Sequence, residues 1–225
     1  MKVSVVIPAY NEEKYIRKSL GSVMNQKVEA DEIIVVNNNS RDRTEEIALK
    51  MGAKVVREPI QGMTPARNRG FDTAQHEIIA RIDADVIVPT NWIKQIKKSF
   101  ENKNYDAFTG PVTFNDLFAK PTSTLPSKIY LESLRVFSRG NRYLIGPNMI
   151  LKRNIWLKVR KTVNLDDSKV HEDIDLSLKI IKAGGRIGFD PDLIVQISAR
   201  RIKKHPESFF LEYPARMIKT FWIDR

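Results

Sequence analysis

The chain has 225 residues, 42% of them hydrophobic, a formal charge of +11 and no cysteine. That length suits one large domain, and the missing cysteines exclude disulfides, thiolate metal sites and a cysteine nucleophile, leaving carboxylates, hydroxyls, amines and three histidines for any chemistry. No apolar run approaches the ~18 residues a membrane span needs, and MKVSVVIPAYNE lacks signal-peptide features, which predicts a cytoplasmic protein, at most peripheral at the inner face of the membrane.

The positive charge predicts an anionic partner or bases that simply solvate helix faces, as in KQIKKS. In chain order, the apolar run KVSVVIPAY predicts a strand, and the next segment places Ile16, Leu20, Val23 and Met24 at helical spacing with Asn11 as its cap. The alternation repeats. DEIIVVNN leads to SRDRTEEIALKMG, stopped by Gly52; AKVVRE leads to TPARNRGFDTAQ, with Pro65 in a helix-opening position; EIIARID leads to TNWIKQIKKSF, whose Ile93, Ile96 and Phe100 share a face. Four such units predict an α/β fold: a mainly parallel open sheet with helices on both faces.

Beyond residue 105 the stretch DAFTGPVTFNDLFAKPTSTLPSK predicts a variable loop or lid. Order returns with a helix over KIYLESLRVF, a strand and short helix over IGPNMILKRNIWLKV, and a helix over EDIDLSLKIIKAGG that ends at Gly184. The expected organisation is a single domain over 1–225, with a nucleotide-binding half at 1–105, an acceptor-binding half at 106–200 and a C-terminal segment at 201–225. That last segment mixes aromatics with bases, which fits either packing against the sheet or lying on a membrane surface.

Asp83 and Asp85 end the fourth apolar run, where an open parallel sheet binds ligands. Alternate residues of an extended segment point the same way, so the two carboxylates can converge on one ligand. Two hard oxygen ligands suit Mg²⁺ or Mn²⁺ on a diphosphate; the alternative is that both acids cap the helix starting near Thr90.

The ordered set VVIPAYNE, EIIVVNNNSRDRT, TPARNRG, RIDADV and HEDIDLSLKIIKAGGRIGF resembles the second family of inverting glycosyltransferases, with their A-type, Rossmann-like nucleotide-sugar fold, over residues 2 to about 190. The resemblance implies transfer of a sugar from a UDP- or GDP-sugar, with Mn²⁺ or Mg²⁺, to an acceptor hydroxyl or a lipid phosphate. Glycan and lipid-linked acceptors both fit, and nucleic acid is not expected. It places the nucleotide against Pro8, Ala9, Tyr10 and Glu12, with Tyr10 stacking on the base and Glu12 accepting from base or ribose. Asn38 stands where the family usually has an acid that accepts from the base ring.

The same resemblance sets Arg67 near the diphosphate, Asp83 at the ribose or a metal-bound water, and Asp85 on the metal. Asp173 becomes the general base and Glu172 orients the acceptor. His205 is a further metal-ligand candidate, and Arg200 and Arg201 are a basic pair to close over the diphosphate. A sugar-phosphate nucleotidyltransferase is the competing enzyme reading, but such enzymes carry a glycine-rich loop after the first strand, and here the first glycine is Gly21. A basic glycan- or nucleic-acid-binding protein would leave Asp83, Asp85 and Asp173 unexplained.

Overall fold

In a computed structural model of the chain, residues 1–102, 104–116, 123–138, 140–204, 207 and 212–223 are described. Four strand-helix units lead: β1 (Val3–Ala9), α1 (Ile16–Met24), β2 (Glu32–Asn37), α2 (Thr44–Lys50), β3 (Lys54–Arg57), α3 (Met63–Thr73), β4 (Ile78–Arg81) and α4 (Trp92–Asn102). They are followed by β5 (Ala107–Thr109), β6 (Val112–Phe114), α5 (Leu125–Phe137), β7 (Met149–Lys152), α6 (Arg153–Val159), α7 (Glu172–Lys182), β8 (Ile187–Phe189), β9 (Val195–Ile197), α8 (Arg200–Lys204) and α9 (Tyr213–Ile223).

One seven-stranded sheet runs β3-β2-β1-β4-β7-β5-β8, in which only β7 is antiparallel to its neighbours. β6 and β9 form a separate parallel pair. Pleat alternation sends Val3, Val5 and Ile7 to one face, where they meet Ile16 and Leu20 of α1 and Trp92 and Ile96 of α4. Val6, Ile34 and Ile79 face the other way, against Phe71 of α3, Trp156 of α6 and Leu176 of α7. Both faces are therefore covered, which is why the strands read as continuous apolar runs. Burying each such side chain contributes roughly 1.5–3 kcal/mol relative to leaving it exposed.

Gly52 and Gly184 follow their helices in the left-handed region, at φ 86° and 80°, so both predicted stops hold. Asn11 does not cap α1. It sits at φ 54°, the helix begins at Ile16 behind Tyr15, and the Asn11 side-chain oxygen instead accepts from the Arg41 N–H at 2.8 Å. The predicted loop or lid over 106–128 is in large part regular structure instead, since Ala107–Thr109 and Val112–Phe114 are β5 and β6 and Leu125 opens α5; its residues 117–122 lie outside the described residues. The C-terminal α9 packs Met217 and Phe221 against Leu134, Tyr143 and Ile174, and leaves Trp222 and Ile223 exposed. Among the described residues no helix is long and apolar enough to cross a membrane.

Candidate active site

Because β1, β2 and β4 are parallel, their carboxyl ends open on one side of the sheet, and the loops that follow build one cleft. Pro8 and Ala9 are buried in β1, whereas Tyr10 just beyond them is 48% exposed, so its ring is available at the rim. The segment after Tyr10 is pinned to the loop after β2. The Asn11 N–H donates to Ser40 Oγ at 3.1 Å, that of Glu12 to Thr44 Oγ1 at 2.7 Å, and that of Glu13 to Asp42 Oδ2 at 3.0 Å.

Beneath the cleft lies a buried arginine-acid frame. Arg81, the last residue of β4, is 0% exposed on the α3-α7 side of the sheet. Its Nη2 donates to Asp83 Oδ1 at 2.8 Å, and its Nη1 donates to Glu172 Oε1 at 2.5 Å and Asp173 Oδ1 at 3.3 Å. One guanidinium thus joins the Asp-x-Asp turn to the start of α7. Gly146 makes room for it: a Cβ there would collide with Arg81 Nη1 and stand 3.0 Å from its Cζ. The Gly146 N–H also donates to Asp173 Oδ2 at 2.7 Å, so both oxygens of that carboxylate are held.

Glu172 is gripped a second time. Arg67 of α3, also 0% exposed, donates through Nη1 to the Glu172 carboxylate and, at 2.9 Å, to the Glu172 carbonyl. The two neighbouring acids consequently diverge. Burial alone would push Glu172 up, but Arg81 and Arg67 outweigh it and hold its carboxyl well below the usual range. Burial and then the charge of Glu172 push Asp173 well above its ordinary value, against the pull of Arg81 and the Gly146 N–H. Adjacent acids with opposite shifts are the pattern of an ionised anchor beside a basic carboxylate.

At the rim a second cluster forms around Arg200, the first residue of α8. Its Nη1 donates to Glu12 Oε2 at 2.7 Å, its Nη2 to Glu12 Oε1, and its Nε lies 3.0 Å from Asp85 Oδ2. The guanidinium also sits 4.5 Å over the Tyr15 ring. Burial and the charge of Asp83 push the Asp85 carboxyl up to about 6, with Arg200 opposing them. Glu12 and Asp85, from the ends of two adjacent strands, therefore close on one cation. Hard oxygen donors that few in number, with the rest left to water and phosphate, fit Mg²⁺ or Mn²⁺. Among the described residues no three His, Asp or Glu side chains form a metal-holding group by themselves.

Four expectations change. Asn38 is buried and does not present its oxygen to the cleft: Oδ1 accepts from the Gly62 N–H at 2.9 Å and from Gln61 Nε2 at 3.2 Å, while Nδ2 donates to the Glu58 and Ile60 carbonyls. With both lone pairs taken, it staples the 58–62 loop rather than reading a base. Arg67 is committed to Glu172 and Asn68, so it orients the acid pair instead of offering a fork to a diphosphate. Glu12, expected to accept from base or ribose, has both carboxylate oxygens on Arg200, the residue expected over the diphosphate, which here bridges Glu12 and Asp85. His205 and the side chain of Arg201 lie outside the described residues. Sequence reasoning missed Arg81, Gly146 and Tyr15; a lone arginine inside the apolar run EIIARID was the one available signal.

Comparison with known proteins agrees with this architecture. The model of the family described as glycosyl transferase family 2 matches residues 4–158. A probable glycosyltransferase of Bacillus subtilis, YdaM, is 30% identical over 214 residues, covering 86% of this chain and 50% of that protein. The chain thus spans about half the length of that relative. The Pyrobaculum calidifontis mannosyltransferase PcManGT, solved with GDP-Man and Mn²⁺, superposes with TM-score 0.77 at 20% identity over 99% of this chain and 63% of its own. Mycobacterium tuberculosis glucosyl-3-phosphoglycerate synthase, with Mn²⁺, UDP-glucose and phosphoglyceric acid, gives TM-score 0.71 at 18% identity over 99% and 79%. An A-type sheet, a cleft at its carboxyl edge and a family match over more than half of the chain lead to one conclusion: the chain belongs to glycosyl transferase family 2.

Proposed function

We propose that the chain moves a hexose from a UDP- or GDP-sugar to an acceptor hydroxyl or lipid phosphate by a single displacement with inversion, and that Asp173 is the general base. The observation that carries this reading is the split acid pair: Glu172 is kept ionised by two buried arginines, while Asp173 is raised into a more basic range beside it. The acceptor O–H gives its proton to Asp173 as its oxygen bonds to the anomeric carbon. The bond from that carbon to the diphosphate breaks, and the nucleotide diphosphate leaves with the electron pair. A second carboxylate in the role of nucleophile is not required, and Glu172, locked by Arg67 and Arg81, is not free to act as one.

Asp85, with Glu12 beside it, would hold Mn²⁺ or Mg²⁺, and His205 is the further candidate. When bound, that ion supplies positive charge to the departing diphosphate. Tyr10 supports the base at the rim, and Asp83, fixed by Arg81, faces the ribose side. The bound GDP-Man and UDP-glucose of the two structural relatives support a nucleotide-sugar donor here. The reading takes 1–225 as a single domain, with 1–105 serving the donor, 106–200 the acceptor and 201–225 completing it. A lipid-linked acceptor would be met from a membrane surface, which the exposed Trp222 and Ile223 suit.

The test is a thermal-shift screen of UDP, GDP, UDP-glucose, UDP-N-acetylglucosamine and GDP-mannose, each with and without Mn²⁺. A ligand that binds the folded chain alone raises its melting temperature. Stabilisation by at least one of them only in the presence of Mn²⁺ is expected, and no response to any of them would remove the donor assignment.

A further inference from the structure

We propose that Arg200 is a tethered cation that holds the Glu12-Asp85 place before a divalent ion arrives, and that the ion displaces it onto the diphosphate. The inference rests on the metal-donor reading above and assigns Arg200 two successive partners in it.

The geometry carries the first half. All three guanidinium nitrogens are engaged with carboxylates from the ends of β1 and β4: Nη1 and Nη2 with Glu12, and Nε with Asp85 at 3.0 Å. A charge seated there satisfies the acids much as a divalent ion would, so the two cations compete for Asp85. Arg200 can also leave. Its side chain keeps 30% of its exposure, and α8 is a five-residue helix at the edge of the cleft. Arg81, by contrast, is fully enclosed and tied to Glu172 and Asp173 at the start of α7.

The second half follows from the chemistry of the fork. Once a divalent ion sits on Asp85, like-charge repulsion disfavours the Arg200 contact, and the nearest new anion is the diphosphate bound to that same ion. A planar guanidinium matches phosphate oxygens two at a time. Arg200 therefore weakens the binding of a bare divalent ion and strengthens binding of the ion together with a diphosphate. Linkage makes the converse hold: the diphosphate draws the ion in by removing its competitor. A nucleoside monophosphate offers fewer oxygens beside the ion and gains less.

The test measures Mn²⁺ binding directly, by the electron paramagnetic resonance signal of free Mn²⁺, on the full chain and on Arg200→Gln. Without nucleotide, Arg200→Gln is expected to bind Mn²⁺ about tenfold more tightly than wild type; in saturating Mn²⁺ it is expected to bind UDP and GDP about tenfold more weakly. Shifts of opposite sign are not produced by a merely structural loss, which would weaken both. Arg200→Lys keeps the charge but not the three-point grip. It should fall between the two on both axes, and it carries the test if Arg200→Gln does not fold. Unchanged or weaker Mn²⁺ binding in the variants, alongside normal Mn²⁺ binding by wild type with UDP or GDP, overturns the role of Arg200. A wild-type chain that takes no Mn²⁺ even with either nucleotide removes the metal reading itself, and the inference with it.

Discussion

The cleft contains two arginine-acid clusters built from similar parts to different ends. Arg81 and Arg67 lie at 0% exposure and hold Glu172, Asp173 and Asp83 in a frame shared by the sheet, α3 and α7. Arg200 bridges Glu12 and Asp85 at a part-exposed rim, from a short helix. Burial decides the difference. A desolvated ion pair is costly to break, because removing one partner strands the other charge away from water, whereas a cation that keeps part of its side chain in water is rehydrated as it leaves. The frame fixes geometry, and the rim is able to change partners.

Breaking the frame should have the largest consequence. Arg81→Met leaves Glu172, Asp173 and Asp83 without their shared cation, and a loss of roughly 3–5 kcal/mol of folding stability is expected by denaturant melting. Arg200→Gln is the matched change at the rim, and its stability cost should be smaller, no more than about 2 kcal/mol, because Arg200 keeps 30% of its side-chain exposure although Glu12 and Asp85 keep only 13% and 14%. Equal losses would mean that the two clusters do not differ in the way their burial implies.

Asn38→Asp should also cost less than Arg81→Met, although it restores the acid common in the family. The change removes both N–H donors and sets a carboxylate against the Glu58 and Ile60 carbonyls, so roughly 1–3 kcal/mol should be lost, with faster proteolysis of the 58–62 loop. Unchanged melting would show that the staple is not holding that loop.

The acid pair should also register in pH dependence. Asp173 must be ionised to accept a proton and its pKa is raised, so kcat/KM should fall up to tenfold per pH unit as pH drops through that raised value. For stability the sign is opposite: the folded chain holds the Asp173 proton more tightly than the unfolded one, so this group's contribution declines as pH rises from the ordinary carboxyl range through the raised pKa. Glu172, lowered in the fold, contributes stability above the unfolded value and loses it as pH falls toward the folded one. A flat acidic limb in kcat/KM would argue against Asp173 as the titrating base.

Much of this architecture was legible in the sequence, because β-branched runs alternating with 3.6-period helices admit few arrangements, and Asp83 and Asp85 fall at a strand end whatever the details. The carboxylate roles were legible as types but not as partners. Arg81 lies 91 residues from Glu172, and nothing local announces that a base in an apolar strand will meet the first turn of α7. Asn38 misled for a related reason: its partners are backbone groups of a loop twenty residues on, which carry no side-chain signature. Asn11 reads as a cap from composition, yet the chain needs four more residues to reach the helix.

The most direct test of the central claim is Asp173→Asn, measured as single-turnover transfer or donor hydrolysis alongside nucleotide-sugar binding. Asn preserves the shape of the side chain and can still accept from the Gly146 N–H, but it takes no proton. The account predicts turnover lowered by roughly 10² or more with donor affinity within a few-fold of wild type. Turnover near wild type in a folded variant would contradict it and leave the acceptor's proton with another base.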